Sequence, residues 1–562
     1  MIQQHIEREA KLDACPTATL PDLEGAIEGI SVKNLPEARL RAVYFDTADL
    51  SLARQGITLR HRQDRLGGKS AERGWTLKLP APSDGKGLVR KELSWPGGKR
   101  VIPHAALVLL RAFCLDEPLS PVAVLVTLRK RAVLEEPAGE ALLEIDDDTV
   151  SVMDGSRIAA RFREIEVEVL GPGGEAVLDP VLERLGRAGA VAGDSRPKVM
   201  RALGRRASEP PDVHAVDLGP SSTVAELVSA SIAGGYTRLV EHDPGTRLDE
   251  DPEDLHQARV ATRRLRSDLR TMRELLEHDW LFMVRTELGW LAQALGKVRD
   301  SDVLGQRIAQ HLSQLASEDQ PAASPLFRRL KAERTLARRE LTGVMDSERY
   351  VNLLKMLAQA AKDPPLARPP KQRLSASTAE RSWPSDLEDA SGVHLDLGEE
   401  DGEEGTEEEL EPPCNQEVPC GEQAAIEVIP RLVRSPWKRL SRTIAALGVE
   451  PTDAELHQVR IGAKRLRYAC EAAVPVIGSQ AKRLASEAAV LQEVLGDHHD
   501  AVCAEQWLRD AARFSSRATA VVIGQLIATE RAAQRSGREQ WLERWKHLKA
   551  KKNRSWIEGF HR

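Results

Sequence analysis

Charged side chains alternate through the N-terminal part of the chain in a pattern that could do phosphate chemistry. Glu7, Glu9 and Lys11 stand at period two within EREAK, and in a strand that spacing points all three to one side. Arg60 and Arg62, Arg90 and Glu92, Arg129 and Arg131, and Glu164, Glu166 and Glu168 repeat the spacing in later segments. An antiparallel sheet closed into a barrel could bring all of them into one lumen. A lumen lined by arginine and glutamate is costly unless ligands neutralise it. A divalent metal on the carboxylates and a phosphate chain on the cations would do so. Carboxylate oxygens suit hard cations, arginine gives phosphate bidentate contacts, and lysine gives a point charge.

A second constellation lies in the C-terminal part and occurs twice. LHQARVATRRLR begins at Leu255 and LHQVRIGAKRLR at Leu456, with histidine, arginine and leucine at matched offsets. On a helix, His256, Arg259, Arg263 and Arg266 fall within an arc of roughly 80°. His457, Arg460, Lys464 and Arg467 hold the same offsets and form the same stripe. Like charges at this spacing cost about 0.2–0.5 kcal/mol per pair in an isolated helix. Repeating that cost in one register makes sense where an anion is to sit. Each stripe is followed by a second matched segment, LGKVRDSDV from Leu295 and LGDHHDAVC from Leu495. A duplicated helical unit is the simplest account.

The elements that must carry these residues differ between the two parts. GITLRHR, GWTLKLP, AVLVTLRKRAVL, ALLEIDDDTVSV and REIEVEVL alternate with period two and read as strands over residues 1–205, with a short helix near 176–189. The Pro-containing stretch 206–220 reads as a linker. Helical periodicity covers 221–363 and resumes over 425–562. Between them, 364–424 is Pro-rich and then acidic, and reads as a disordered insertion. The predicted architecture is therefore multidomain α+β: an antiparallel barrel with flanking helices, then an all-α domain of two repeated halves.

Charge and composition narrow the function classes. The 562 residues carry a formal net charge of −6, but 385–424 holds 15 Asp and Glu and no Lys or Arg, leaving +9 elsewhere. The rest of the chain is basic, and its basic residues are patterned. No run of about 18 apolar residues exists, which excludes a membrane-spanning helix. The N-terminal segment is charged and lacks an apolar core, so it does not read as a secretory signal. Six scattered cysteines point to a reducing compartment and away from a zinc site. The expected location is the cytoplasm. Nucleic acid is a poorer partner, because the stripes lack the aromatic and amide side chains that base readout and stacking use.

These motifs resemble a known family. EREAK resembles the ExExK motif that opens the CYTH proteins, or triphosphate tunnel metalloenzymes. YFDTADLSLARQGITLRHR resembles the following block, which leads into paired arginines. WTLKLP then matches the family's lysine at Lys78, VRKE its Arg-x-Glu at Arg90, TLRKR its second arginine pair, and LEIDDD an acid at Asp146. EIEVEVL matches the late glutamate strand, and PKVMR the closing Lys-x-x-Arg as Lys198 and Arg201. The helical part resembles the CHAD domain, a module associated with inorganic polyphosphate, on His256, His457 and their basic followers.

The resemblance implies hydrolysis or transfer at a triphosphate. It assigns catalysis to Glu7, Glu9, Lys11, Glu166 and Glu168. Mg2+ or Mn2+ would be held by Glu7, Glu9, Asp146, Glu166 and Glu168. Phosphates would be cradled by Arg60, Arg62, Lys78, Arg90, Arg129, Arg131, Lys198 and Arg201. An organic triphosphate, as in adenylate cyclases or thiamine triphosphatases, would want an aromatic platform, and aromatic residues make up 4% of the chain. Trp75 and Trp95 are the candidates. The expected activity is inorganic triphosphatase, with polyphosphate bound by the two stripes. The alternatives are a non-catalytic polyphosphate-binding protein and an enzyme acting on an organic triphosphate.

Overall fold

A computed structural model describes residues 3–15, 20–24, 27, 29–66, 69–81, 88–98, 101–193, 196–367 and 419–558. The chain divides into two compact units, Met1–Pro211 and Asp212–Arg562.

Eight strands build the first unit: β1 (Gln3–Asp13), β2 (Ser31–Asp46), β3 (Thr58–Leu66), β4 (Lys69–Pro80), β5 (Leu88–Pro96), β6 (Ser120–Glu135), β7 (Ala141–Asp154) and β8 (Arg157–Val169). They pair in the order β5-β4-β3-β2-β6-β7-β8-β1, and an antiparallel β1–β5 pairing closes the barrel. A short β9 (Val191–Ala192) is added against the end of β1. The register of β2 on β6 slips between Leu35 and Ala38, where Pro36 has no N–H to give the ladder. Gly74 is required where β4 meets β5, because a Cβ there would lie 2.8 Å from the Trp95 carbonyl oxygen.

The alternation read from the sequence sorts the two faces of the barrel. Outside, Leu143, Ile145, Ile165 and Val167 pack with Val181 and Leu185, so α3 (Gly174–Arg187) covers that flank. The barrel also carries α1 (Ser51–Arg54), α2 (His104–Cys114) and α4 (Lys198–Leu203). Ala42, Tyr44, Leu125 and Val150 stand on the same strand faces as the charged residues. They pack with Val199 and Met200 of α4, which forms an apolar floor beside the charged part of the lumen.

The second unit is helical: α5 (Val224–Glu241), α6 (Asp243–Leu248), α7 (Pro252–Thr271), α8 (His278–Leu312), α9 (Ser324–Met345), α10 (Glu348–Lys362), α11 (Ala425–Ala445), α12 (Asp453–Ile477), α13 (Ser479–Ala512), α14 (Arg517–Leu548) and α15 (Lys551–Glu558). The duplication is visible in the packing. α7 lies against α8 and α8 against α9, as α12 lies against α13 and α13 against α14. The long helices α8 and α13 span 35 and 34 residues. α7 starts at Asp251, which caps it ahead of Pro252. α12 starts at a capping box of Thr452 and Glu455. A bridge between Thr223 and Ala424 joins the starts of the two halves.

Both ends of the acidic segment are ordered into this unit. Leu366 bridges to Leu276, and Cys420–Glu422 form a 3-10 turn. The remainder of the expected disordered insertion, 368–418, lies outside the described residues. Cys114, Cys470 and Cys503 carry thiols, and Cys420 is disulfide-bonded. Among the described residues, no helix is long and apolar enough to cross a membrane.

Candidate functional site

Strand register explains how distant charged residues meet in the barrel. Glu9 stands opposite Glu168, Lys11 opposite Glu166 and Asp13 opposite Glu164 across β1 and β8. Glu144, Asp146 and Asp148 stand opposite the same three glutamates across β7 and β8. Arg131 and Arg129 oppose Asp146 and Asp148 across β6 and β7, and Lys78 opposes Glu92 across β4 and β5. Residues directly opposite in a sheet share a face, so these side chains line one surface. The backbone of Glu7 pairs with Arg90; its side chain lies outside the described residues.

The lumen is a network of ion pairs. Lys11 Nζ lies 2.9 Å from Glu166 and 3.5 Å from Glu9, and Glu9 also accepts from Arg90. Lys78 is 3.0 Å from Glu92, and Arg62 is 3.0 Å from Asp64. Arg129 reaches Asp146, Asp148 at 2.6 Å and Glu166 at 3.4 Å. Arg131 lies 3.7 Å from Glu144. From α4, Lys198 sits 2.9, 2.8 and 2.5 Å from Asp148, Glu164 and Glu166. Arg201 donates to Asp13 at 2.5 Å and stacks over Phe162. Within Asp146, Asp147 and Asp148, only the outer two face the lumen. Asp147 points the other way, into a two-bond pair with Arg163 at 2.7 and 2.9 Å.

Burial and charge then compete at each group. Burial pushes Glu166 up, but Lys11, Lys198 and Arg129 outweigh it and hold the carboxyl well below its usual range. Lys11 and Lys198 are raised, because neighbouring carboxylates outweigh their own burial. Glu92 is lowered to about 2 against the cost of burial, by Lys78 and Arg60. Asp146 goes the opposite way: burial dominates over Arg129, Asp148 and Glu144 add repulsion, and it is pushed up to about 8. Its Oδ1 is buried without a hydrogen-bond partner.

The tryptophans lie elsewhere. Trp75 and Trp95 are buried on the strand faces opposite to the lumen residues. Trp75 packs on Phe45 at 4.9 Å and donates its indole N–H to the Gly98 carbonyl.

In the helical unit, α7 and α12 pack against one another, and their stripes converge. Arg263 and Arg467 stack over the ring of Tyr468 at 5.6 and 5.0 Å. Lys464 is 8% exposed, and burial followed by Arg263, Arg259, Arg266 and Arg467 drives its pKa well down. Burial and then neighbouring arginines also lower Arg460 and Arg263. The Nε donors of Arg263 and Arg460 are buried without a hydrogen-bond partner. One end of the groove is braced by Glu471, which accepts from Arg467 at 2.9 Å and from Arg264 at 2.7 Å. His457 lies against His499 with ring centroids 4.0 Å apart. Burial and then Arg299, Arg263 and Arg259 lower His256, so its charge does not switch at the unperturbed value near pH 6.5.

Several groups at these sites were not singled out as site residues from the sequence. Asp13 and Glu144 continue the period-two runs through Glu9 and Asp146, so counting two more positions would have found them. Arg299, His499, Asp300 and Asp500 come from α8 and α13; the second repeated segment was their signal.

Comparisons with known proteins identify the family. The CYTH domain model matches residues 5–188 and the CHAD domain model residues 230–509. The uncharacterized proteins Rv2226 and MT2285 of Mycobacterium tuberculosis are each 31% identical over 531 residues, covering 90% of this chain and 88% of theirs. Among solved structures, PptA from Streptomyces chartreusis aligns with TM-score 0.41 and 23% identity, over 58% of this chain and all of that one. The CHAD domain from Ricinus communis aligns with TM-score 0.39 and 20% identity, over 62% of this chain and 96% of that one. The barrel is a triphosphate-tunnel enzyme domain of the kind that includes triphosphatases and cyclases, and the protein belongs to the family in which a CYTH domain is followed by a CHAD domain.

Proposed function

We propose that this protein hydrolyses inorganic triphosphate in the barrel lumen with a divalent cation, and binds inorganic polyphosphate on the helical stripes. The observation that carries the substrate assignment is the makeup of the lumen's charged part: cations and carboxylates line it, Trp75 and Trp95 face away, and the rings on the lumen side are already taken, Tyr44 in the apolar floor and Phe162 under Arg201. A phosphate chain needs charge neutralisation and positioning, which arginine and lysine supply. A nucleoside or thiamine moiety would need a stacking surface, and neither tryptophan is directed to give one.

The donor set suits Mg2+ or Mn2+. Glu7, Glu9, Asp146, Glu166 and Glu168 would hold it with hard carboxylate oxygens. The unpartnered Oδ1 of Asp146, crowded by Asp148 and Glu144, is the kind of group that a cation satisfies. Among the described residues no group of three carboxylates stands open to hold a metal; the three that converge, Asp148, Glu164 and Glu166, do so on Lys198. Lys11, Arg129 and Lys198 occupy these carboxylates, and loading would redistribute those ion pairs. The cation would supply Lewis acidity and charge neutralisation at the phosphate. Arg60, Arg62, Lys78, Arg90, Arg129 and Arg131 would grip the phosphate oxygens as those carboxylates turn to the metal. Lys198 and Arg201 would hold the chain where α4 meets the lumen. Phosphate release from tripolyphosphate, ATP and long-chain polyphosphate, with Mg2+ or Mn2+ and with EDTA, tests the proposal. Tripolyphosphate should be the best substrate, and turnover of ATP alone would overturn the assignment.

A further inference from the structure

The repeated segments that follow the stripes have a role that the stripes alone do not explain. Gly296 and Asp300 are one turn apart on α8, and Gly496 and Asp500 occupy the same offset on α13. A Cβ on Gly296 would lie 2.7 Å from Arg259 Nη1 and 3.9 Å from Asp300 Oδ2. A Cβ on Gly496 would lie 3.5 Å from Arg460 Nε. Gly296 therefore clears the bed on which Arg259 lies, whereas a methyl at Gly496 would meet Arg460 in ordinary contact. On α8 the aspartate one turn on provides the anion: Arg259 is 3.4 Å from Asp300, with both side chains about a quarter exposed; on α13, Asp500 acts on Arg460 through its charge from the matching offset.

Resting on the polyphosphate reading above, we infer that Asp300 and Asp500 are built-in counter-anions of the helical groove, which occupy arginines that a bound polyanion must take over. They position Arg259 and Arg460 in the empty groove and set its affinity. Without them Arg259 and Arg460 would face mainly the other stripe cations, and mutual repulsion would drive their guanidinium groups apart into solvent. With them the groove is preorganised, at a cost in affinity, because each aspartate competes with phosphate.

The same geometry makes binding pH-dependent. Asp300 faces Arg259 from α7, Arg460 from α12, Asp500 and Cys503 from α13, and Arg299 on its own helix. Burial raises Asp300 to about 6 against the pull of Arg259, and Asp500 is raised as well. A bound polyanion raises them further, so binding takes up protons. The affinity gained is full below the free-state value near 6 and is lost as pH rises through the higher bound-state value.

The test is polyphosphate binding by the full chain, measured by fluorescence anisotropy with an end-labelled long-chain polyphosphate at fixed salt between pH 5.5 and pH 8.5. The double variant Asp300→Asn with Asp500→Asn should bind about tenfold tighter at the alkaline end and lose most of the pH dependence. Gly296→Ala should weaken binding, because it displaces Arg259. Glu543→Gln removes one negative charge at an exposed position on α14 and should leave the profile unchanged. If the wild type binds but the aspartate variants keep its affinity and pH profile, the inference falls and the polyphosphate reading stands. If the wild type binds no polyphosphate at any pH, both fall together.

Discussion

The barrel lumen and the helical groove are both lined by arginine and lysine, yet their charges are balanced differently. In the lumen the cations meet carboxylates: Lys11 lies between Glu9 and Glu166, and Lys198 among Asp148, Glu164 and Glu166. The groove sets cation against cation, with Lys464 buried beside Arg259, Arg263, Arg266 and Arg467. A neutralised lumen binds a phosphate chain only by exchanging partners, which gives a metal a reason to enter. A groove whose cations outnumber carboxylates such as Asp300 and Glu471 attracts a polyanion directly. Under the proposed function, the difference would separate a site for chemistry from one for capture.

The strongest way to break this comparison is to remove one charge from the lumen. Glu166→Gln should reduce phosphate release from tripolyphosphate by more than about 100-fold. It should also lower the melting temperature, since Lys11 and Lys198 lose a shared partner. Turnover per folded molecule near the wild-type rate would mean that the carboxylates are structural only.

Salt should act most steeply on the groove. Counterion release predicts that polyphosphate affinity falls by at least about tenfold between about 50 and about 200 mM salt, and that it survives EDTA. Metal-dependent affinity there would erase the contrast between the two sites.

Lys464→Met sharpens the comparison through effects of opposite sign. Burial and four arginines oppose the charge of Lys464, so its removal should raise the melting temperature by about 2 °C. Polyphosphate affinity should fall at the same time, by about fivefold. A variant that loses both stability and affinity would show that the contacts Lys464 makes outweigh the charges that oppose it.

The smallest effect concerns acid. Burial, and then His457 and Arg460, lower His499 to about 3. Unfolded, it would take up a proton near its unperturbed value, so the folded state loses stability as pH falls from about 6.5 towards 3. His499→Gln should therefore show a smaller drop in melting temperature between pH 7 and pH 5 than the wild type. An equal drop would assign the acid sensitivity to other groups.

How far the sequence could be read depended on the range of each interaction. Strand faces were legible because period two is a local property of the chain, and it ran through Glu7, Arg60, Arg129 and Glu166 without needing their partners. It also contained the answer to the acidic block: alternation places Asp146 and Asp148 on one face and Asp147 on the other, as the Arg163 pair shows. The duplicated stripe was legible for the same reason, since helical offsets repeat in any copy of a helix.

Tertiary structure alone decided which opposite charges touch. Register between strands far apart in the chain puts Glu166 beside Lys11 and Arg129, and no local period specifies a register. It also decided that α7 and α12 face each other, so two ordinary basic helices became one crowded groove. Protonation followed from that packing. Asp146 and His256 depart from their unperturbed values because of burial and neighbours brought in from other elements. The residue types and their spacing were in the sequence; the electrostatic environment of each came only from the chain closing on itself.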